Sequence, residues 1–299
     1  MSSFEPIATR RAFLATSLAA AAPAASAAAQ DRISLAEWSF NRSYRAGKWK
    51  NLEMPKIIRE QLSIDALEYV NQFFEVPTMG YLRKLKRACE QNGVTSVEIM
   101  VDDEDPMASP DRKERMDAAV AHRKWLDAAH YLGCQFIRCN MRGGPQDWKQ
   151  DKDQVKRAAE SFSDLLNYAK GSGLRIVIEN HGGSSSDPDV LASLMKAVNN
   201  PNFGILVDIG NWNKGDDHYE AIRKVLPWAR GISVKDIPGW DLEKKLRICM
   251  DSGFHGFWGI ESGARGVAAS VSADEMFAAE VKAVLAIKTV LERVVLKKG

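Results

Sequence analysis

From residue 33 onward the chain alternates between two hydrophobic rhythms. Short runs rich in β-branched and aromatic residues end in polar ones: ISLAEWSF (33–40), ALEYVNQF (66–73), SVEIMVDD (96–103), CQFIRCN (134–140), LRIVIEN (174–180), FGILVDIGN (203–211), GISVKD (231–236) and GFWGIES (256–262). Such runs read as strands buried on both faces. Between them lie longer stretches, among them MGYLRKLKRACEQNG, RMDAAVAHRKWLDAAHYLG, VKRAAESFSDLLNYAKGSG and VLASLMKAVNN. Their apolar residues recur every three or four positions and several close on Gly or Asn, as one-sided helices do. A last helical pattern covers 272–296. Eight strands alternating with helices over roughly 270 residues predict a (β/α)8 TIM barrel. A doubly wound open sheet is the alternative, but no Gly-rich dinucleotide loop follows the first strand. No Pro- or Ser-rich linker interrupts 31–299, so residues 30–299 read as a single domain.

The first 29 residues break the rhythm. Arg10-Arg11-Ala12-Phe13-Leu14 precedes an alanine-rich stretch with A-x-A at Ala25–Ala27 or Ala27–Ala29. This resembles a twin-arginine export signal, and the apolar run is too short and weak to span a bilayer. The expectation is a periplasmic protein whose residues 1–29 are removed, with no membrane span in the mature chain. A plain alanine-rich tail is the alternative.

The composition is 45% hydrophobic and 27% charged with a net charge of +2, ordinary for a globular protein. Such balance offers no footprint for nucleic acid or a membrane surface. Cys89, Cys134, Cys139 and Cys249 lack metal-finger spacing, so neither a disulfide framework nor a cysteine metal site is expected.

In a TIM barrel the chemistry sits at the C-terminal strand ends. There the sequence places Trp38, Glu68, Asp102, Arg138 with Asn140, Glu179 with His181, Asp208 with Trp212, Ser233 with Lys235, and Glu261. Alternation puts Glu179 and His181 on one face and Asn180 on the other, and likewise pairs Ser233 with Lys235. Three acidic residues, Glu179, Asp208 and Glu261, then converge from strands five, six and eight. Uncompensated carboxylates that close repel one another, and a divalent cation (Mn, Mg, Co or Zn) relieves the strain. The bland alternative is three loop caps.

These residues carry a family likeness. LAEWSF, ALEYVNQFF, IENHGGSSSDPD, NNPNFGILVDIGNW and GFWGIESG resemble the sugar phosphate isomerase/epimerase family, the xylose isomerase-like barrels, over 33–295. The resemblance implies one divalent metal held by Glu, Asp, His (or Gln) and Glu. Carried over, the ligands are Glu179, Asp208 and Glu261. The histidine of the family's His-x-Lys-Asp is here Ser233, a poor ligand. Three carboxylates with water, a nitrogen from His181, or a site that has lost its metal are the open options. Barrels of the family are often dimers or tetramers, so a homo-oligomer is a further expectation.

The implied chemistry is isomerisation or epimerisation of a sugar, keto-sugar or cyclitol through an enediolate. Glu179 and Glu261 would move the proton, with Lys235 beside the developing oxyanion. A lysine paired with Asp236 is the plainer reading of Lys235. His181, Asn140, Glu68, Trp38 and Trp212 are candidate substrate contacts, with Phe73 in the apolar wall. The HGGSSSDPD loop reads as a loop ending in a helix cap at Asp187 or Ser186 rather than as a phosphate site. The same proton abstraction ends in β-elimination on a keto-glycoside, which makes a lyase the runner-up. Loss of the third ligand would leave a non-catalytic sugar-binding barrel. The alternative of a DNA-repair endonuclease with a histidine-rich three-metal site is disfavoured: the chain has five histidines, two of them, His122 and His130, in a helical pattern away from the strand ends.

Overall fold

The computed structural model describes residues 30–144 and 148–296; the export-signal expectation falls on residues 1–29, outside them. Eight strands close into a parallel barrel in chain order: β1 (Arg32–Ala36), β2 (Ala66–Val70), β3 (Thr95–Met100), β4 (Phe136–Cys139), β5 (Arg175–Glu179), β6 (Phe203–Asp208), β7 (Ala229–Val234) and β8 (Phe257–Ile260). β1 closes on β8, with Arg32 opposite Phe257 and Leu35 opposite Ile260. The crossovers contain α1 (Met54–Ile57, continued by a π turn Ile58–Leu62), α2 (Met79–Asn92), α3 (Arg112–Leu132), α4 (Gln154–Ala169), α5 (Pro188–Val198), α6 (His218–Val225) and α7 (Leu242–Asp251), and α8 (Ala273–Leu291) follows β8. This is the (β/α)8 barrel that the alternation predicts.

Local chemistry fixes the helix ends. Asp111, Asp187, Asp217 and Asp241 cap α3, α5, α6 and α7 by accepting first-turn N–H groups, and Ser272 with Glu275 forms a capping box on α8. Gly93 and Gly133 end α2 and α3 in the left-handed conformation. Inside the barrel Gly231 leaves room for Leu206 and the Phe136 ring, which a side chain there would strike. The four cysteines are free and buried. Among the described residues no helix is long and apolar enough to cross a membrane.

Each strand stops short of its sequence run because the polar residues at the run's end leave the sheet. Ala36 ends β1, and Glu37–Phe40 turn as a 3-10 helix over the mouth. That turn carries Trp38 to the rim.

Candidate functional site

The last residues of β5 and β6 and the residue after β8 are Glu179, Asp208 and Glu261. Each offers a carboxylate oxygen, and these atoms lie within 4.8 Å of one another, all buried. Two cations enter the cluster. The Lys235 ammonium lies 2.5 Å from Asp208 Oδ2 and 2.8 Å from Glu261 Oε1. The Arg138 guanidinium pairs with Glu179 at 2.9 Å and with Asp102 at 2.7 Å. Ser233 Oγ donates to Glu261 Oε2 at 3.2 Å and approaches Asp208 Oδ2 at 3.4 Å. Lys235 therefore serves the triad and not its neighbour Asp236.

Alternation and a side-chain clamp place these groups. Asn180 points away from Glu179 and spans to β6: its amide donates to the Asp208 carbonyl at 2.8 Å, and the Asp208 N–H donates back at 2.9 Å. This holds the end of β6 in register. The turn after β6 then saturates Asp208 Oδ1, which accepts from the N–H groups of Gly210 (2.6 Å) and Asn211 (2.9 Å). Asn211 also donates its side-chain amide to Glu179 Oε1 at 3.3 Å. Asn71 repeats the clamp between β2 and the end of β3, exchanging the same two bonds with the backbone of Asp102 at 2.8 and 2.9 Å.

Burial and charge oppose each other here. Burial raises Asp208 to about 7 against the pull of Lys235, with Glu179 and Glu261 adding to the rise. Burial likewise raises Glu179, opposed by Arg138. Glu261 is the exception: burial works against its charge, but Lys235 and then Arg138 hold it below the usual carboxylate range. Asp102, despite partial burial, is drawn down to about 2 by Arg138 and Asn140. Burial costs Lys235 charge as well, yet Asp208, Glu261 and Glu179 lift it above an ordinary lysine. The environments of chemically identical carboxyl groups are thus driven apart, the arrangement that separates acid from base.

The other candidates take distinct places. His181 stands outside the cluster of mutually close ligand atoms. Its Nδ1 is buried without a partner among the described residues, and burial followed by Arg138 and Lys235 lowers its pKa to about 4, leaving a neutral ring. Asn140 donates to Asp102 at 2.8 Å and keeps a buried Oδ1 without a partner among the described residues. Both line a cavity of about 470 Å³ that also meets Arg142, Gly183 and Gln154. A smaller one of about 110 Å³ runs from Trp38 past Asp102 and Arg138 to His181 and Glu261. Trp38 stacks on Phe73 with ring centroids 5.9 Å apart. Trp212 is buried in the core, and Glu68 lies inside the barrel, accepting from Ser34 at 2.5 Å. In the HGGSSSDPD loop, Ser185 and Ser186 accept the N–H groups of His181 and Gly182, and Asp187 caps α5.

Arg138, which the run CQFIRCN places at a strand end without giving it a role, pairs with the triad. Its signal is parity: it lies two residues from Phe136, whose ring is inside the barrel, and two from Asn140.

The profile of the xylose isomerase-like TIM barrel family matches residues 60–271. The chain belongs to that family. No curated protein matches the sequence. Among solved structures it is similar to the IolI protein with a bound zinc atom, at 13% identity and a TM-score of 0.70, over 88% of this chain and 99% of that one. It is similar to D-psicose 3-epimerase from Clostridium cellulolyticum H10, solved with D-tagatose, at 17% identity and a TM-score of 0.64, over 87% and 99%. It is also similar to 3-keto-D-glucoside 4-epimerase from E. coli, at 12% identity and a TM-score of 0.62, over 77% and 92%. At these identities the likeness is one of fold.

Proposed function

We propose that this chain is a sugar isomerase or epimerase that moves a proton beside a carbonyl. The observation that carries the reading is the convergence of Glu179, Asp208 and Glu261 within 4.8 Å at the barrel mouth, beside Lys235. The names of solved neighbours, two of them sugar 3- and 4-epimerases, support it. Glu261, held ionised, is the base that takes the proton from the carbon next to the carbonyl. Lys235 faces the oxyanion that then develops. Glu179, raised by burial, is the acid that returns the proton, and Asp208 holds Lys235 in place. Asn140 and His181 offer unpaired polar atoms to sugar hydroxyls, and Trp38 offers an apolar face.

The family implies a divalent ion. The donor set fits one by type and number of oxygens, and Glu179, Asp208 and Glu261 would hold it. When bound in place of the Lys235 ammonium, it would polarise the substrate carbonyl, the role Lys235 otherwise takes. Export through residues 1–29 belongs to the same proposal and favours an unphosphorylated substrate.

The test is solvent exchange. Ketohexoses and 3-keto-glycosides are incubated with the full chain in D2O, and deuterium at the carbon beside the carbonyl is followed by NMR. Exchange is expected on at least one sugar, falling by about 100-fold or more in Glu261→Gln and Glu179→Gln. Absence of both exchange and product across the panel would overturn the reading.

A further inference from the structure

The triad's charges are already answered from within the chain. Glu179 lies against Arg138. Asp208 has spent Oδ1 on two backbone N–H groups, which leaves Oδ2 as its free ligand atom, and Lys235 stands 2.5 Å from it. The same ammonium reaches Glu261 at 2.8 Å, and the Lys235 side chain is only 12% exposed. Ser233, which shares a face with Lys235, supplies a hydroxyl to both carboxylates and no ligand nitrogen.

We infer that Lys235 is the resident counter-ion of the triad: its ammonium fills the position that Asp208 and Glu261 would give to a divalent ion, and a metal enters only when it withdraws. Two cations cannot share that position, because a monovalent and a divalent charge at contact distance in a poorly solvated site repel strongly. Withdrawal also strips a buried ammonium of both its carboxylate partners, a large cost for any buried ion pair. The site is therefore assembled and stable without metal, and its affinity for divalent ions is set by Lys235 rather than by the carboxylates. The inference deepens the proposed site but rests on the acidic triad alone. A chain that turns over no sugar would leave it standing.

The experiment reads binding, not turnover. The full chain and Lys235→Met are stripped with a chelator, then titrated with Mn²⁺ by calorimetry and followed by thermal unfolding. The expected result has three parts: chelation leaves the wild-type Tm unchanged; Lys235→Met melts lower because its carboxylates are uncompensated; and Mn²⁺ restores that Tm with an affinity at least about tenfold above wild type, the effect of removing one like charge at contact distance. A Lys235→Met chain with no greater Mn²⁺ affinity than wild type overturns the inference. Should that variant fail to fold, the wild-type chain decides: one equivalent of Mn²⁺ taken up at micromolar concentration, with a Tm that drops on chelation, overturns it too. Insensitivity to both upholds it.

Discussion

Glu98 on β3 is fully buried, and neither of its carboxyl oxygens has a hydrogen-bond partner among the described residues. Glu68, opposite it on β2, has Ser34 as its one hydrogen-bond partner among the described residues, and Gly259 leaves the space its carboxyl fills. Water-excluded carboxyls so poorly served are stable only as neutral acids. Burial pushes Glu98 well above the usual range, with Glu68 adding to the rise, and pushes Glu68 up to about 8. A folded-state pKa above the unfolded value means that the native chain holds the proton more tightly. For both groups the stability this contributes is complete below about pH 4.5; for Glu68 it is lost as pH rises toward 8, by up to about 1.4 kcal/mol per pH unit, and for Glu98 it is lost as pH rises through its own raised folded value. Glu68→Gln keeps the shape and removes the titration. Urea unfolding from pH 5 to 8 should show the wild type losing stability with pH more steeply than the variant; parallel slopes would refute the assignment. These two residues also show the limit of reading single positions. Glu179, Asp208 and Glu261 were legible because each stands at the end of a predominantly apolar run. Glu68 also follows an apolar residue in a strand run, but depth along the barrel axis separates an interior acid from a mouth acid, and register across strands is a property of the assembled sheet.

At the scale of elements, the barrel depends on side chains that hold one strand's end against the next. The asparagine clamps do this at β2–β3 and β5–β6, each fixing the backbone of an aspartate whose carboxylate meets a site cation. Asn180→Ala would leave a buried N–H and a buried carbonyl of Asp208 unpaired, at a cost of about 1–3 kcal/mol each before relaxation. The expected outcome is a clear fall in the urea midpoint and a larger loss in kcat than in KM, since Asp208 holds Lys235 rather than substrate. A variant as stable and active as wild type would show that the sheet ladder alone sets the register. The strands and the long helices α2, α3 and α4 were legible because hydrophobic rhythm survives over many turns. The clamps were not, because an asparagine beside Glu179 reads equally as a loop residue until β6 is known to lie alongside. The family pattern marks Ser233 as an absent imidazole, but the serine's role in bonding both carboxylates needs the β6–β7–β8 register.

For the molecule as a whole, closure is the step on which the site depends, since Glu261 follows β8 and Trp38 follows β1. That seam is fastened outside the sheet ladder. Asp31 accepts from the Trp258 indole at 3.1 Å, and Ser39 donates to the Ile260 carbonyl at 2.9 Å while accepting the Ser262 N–H at 2.9 Å. Arg42 donates to the carbonyls of Ala264 and Val267, both at 2.9 Å. From α8, the fully buried Glu280 reaches back, its Oε1 accepting the N–H groups of Arg42 at 3.1 Å and Ser43 at 3.3 Å. The last helix thereby pins the turn after the first strand. Glu280→Ala removes the acceptor for both donors and should cost about 1–3 kcal/mol, whereas Glu280→Gln retains a carbonyl acceptor and should cost less than about 1 kcal/mol. At about 2–4 °C per kcal/mol for a domain near this size, the alanine variant melts several degrees lower and the glutamine variant close to wild type. Because Glu280 acts through the Arg42 segment, Arg42→Ala combined with Glu280→Ala should cost less than the sum of the two single changes. Strict additivity in that double-mutant cycle would mean that the Glu280 fastening and the Arg42 side-chain fastening act independently of each other.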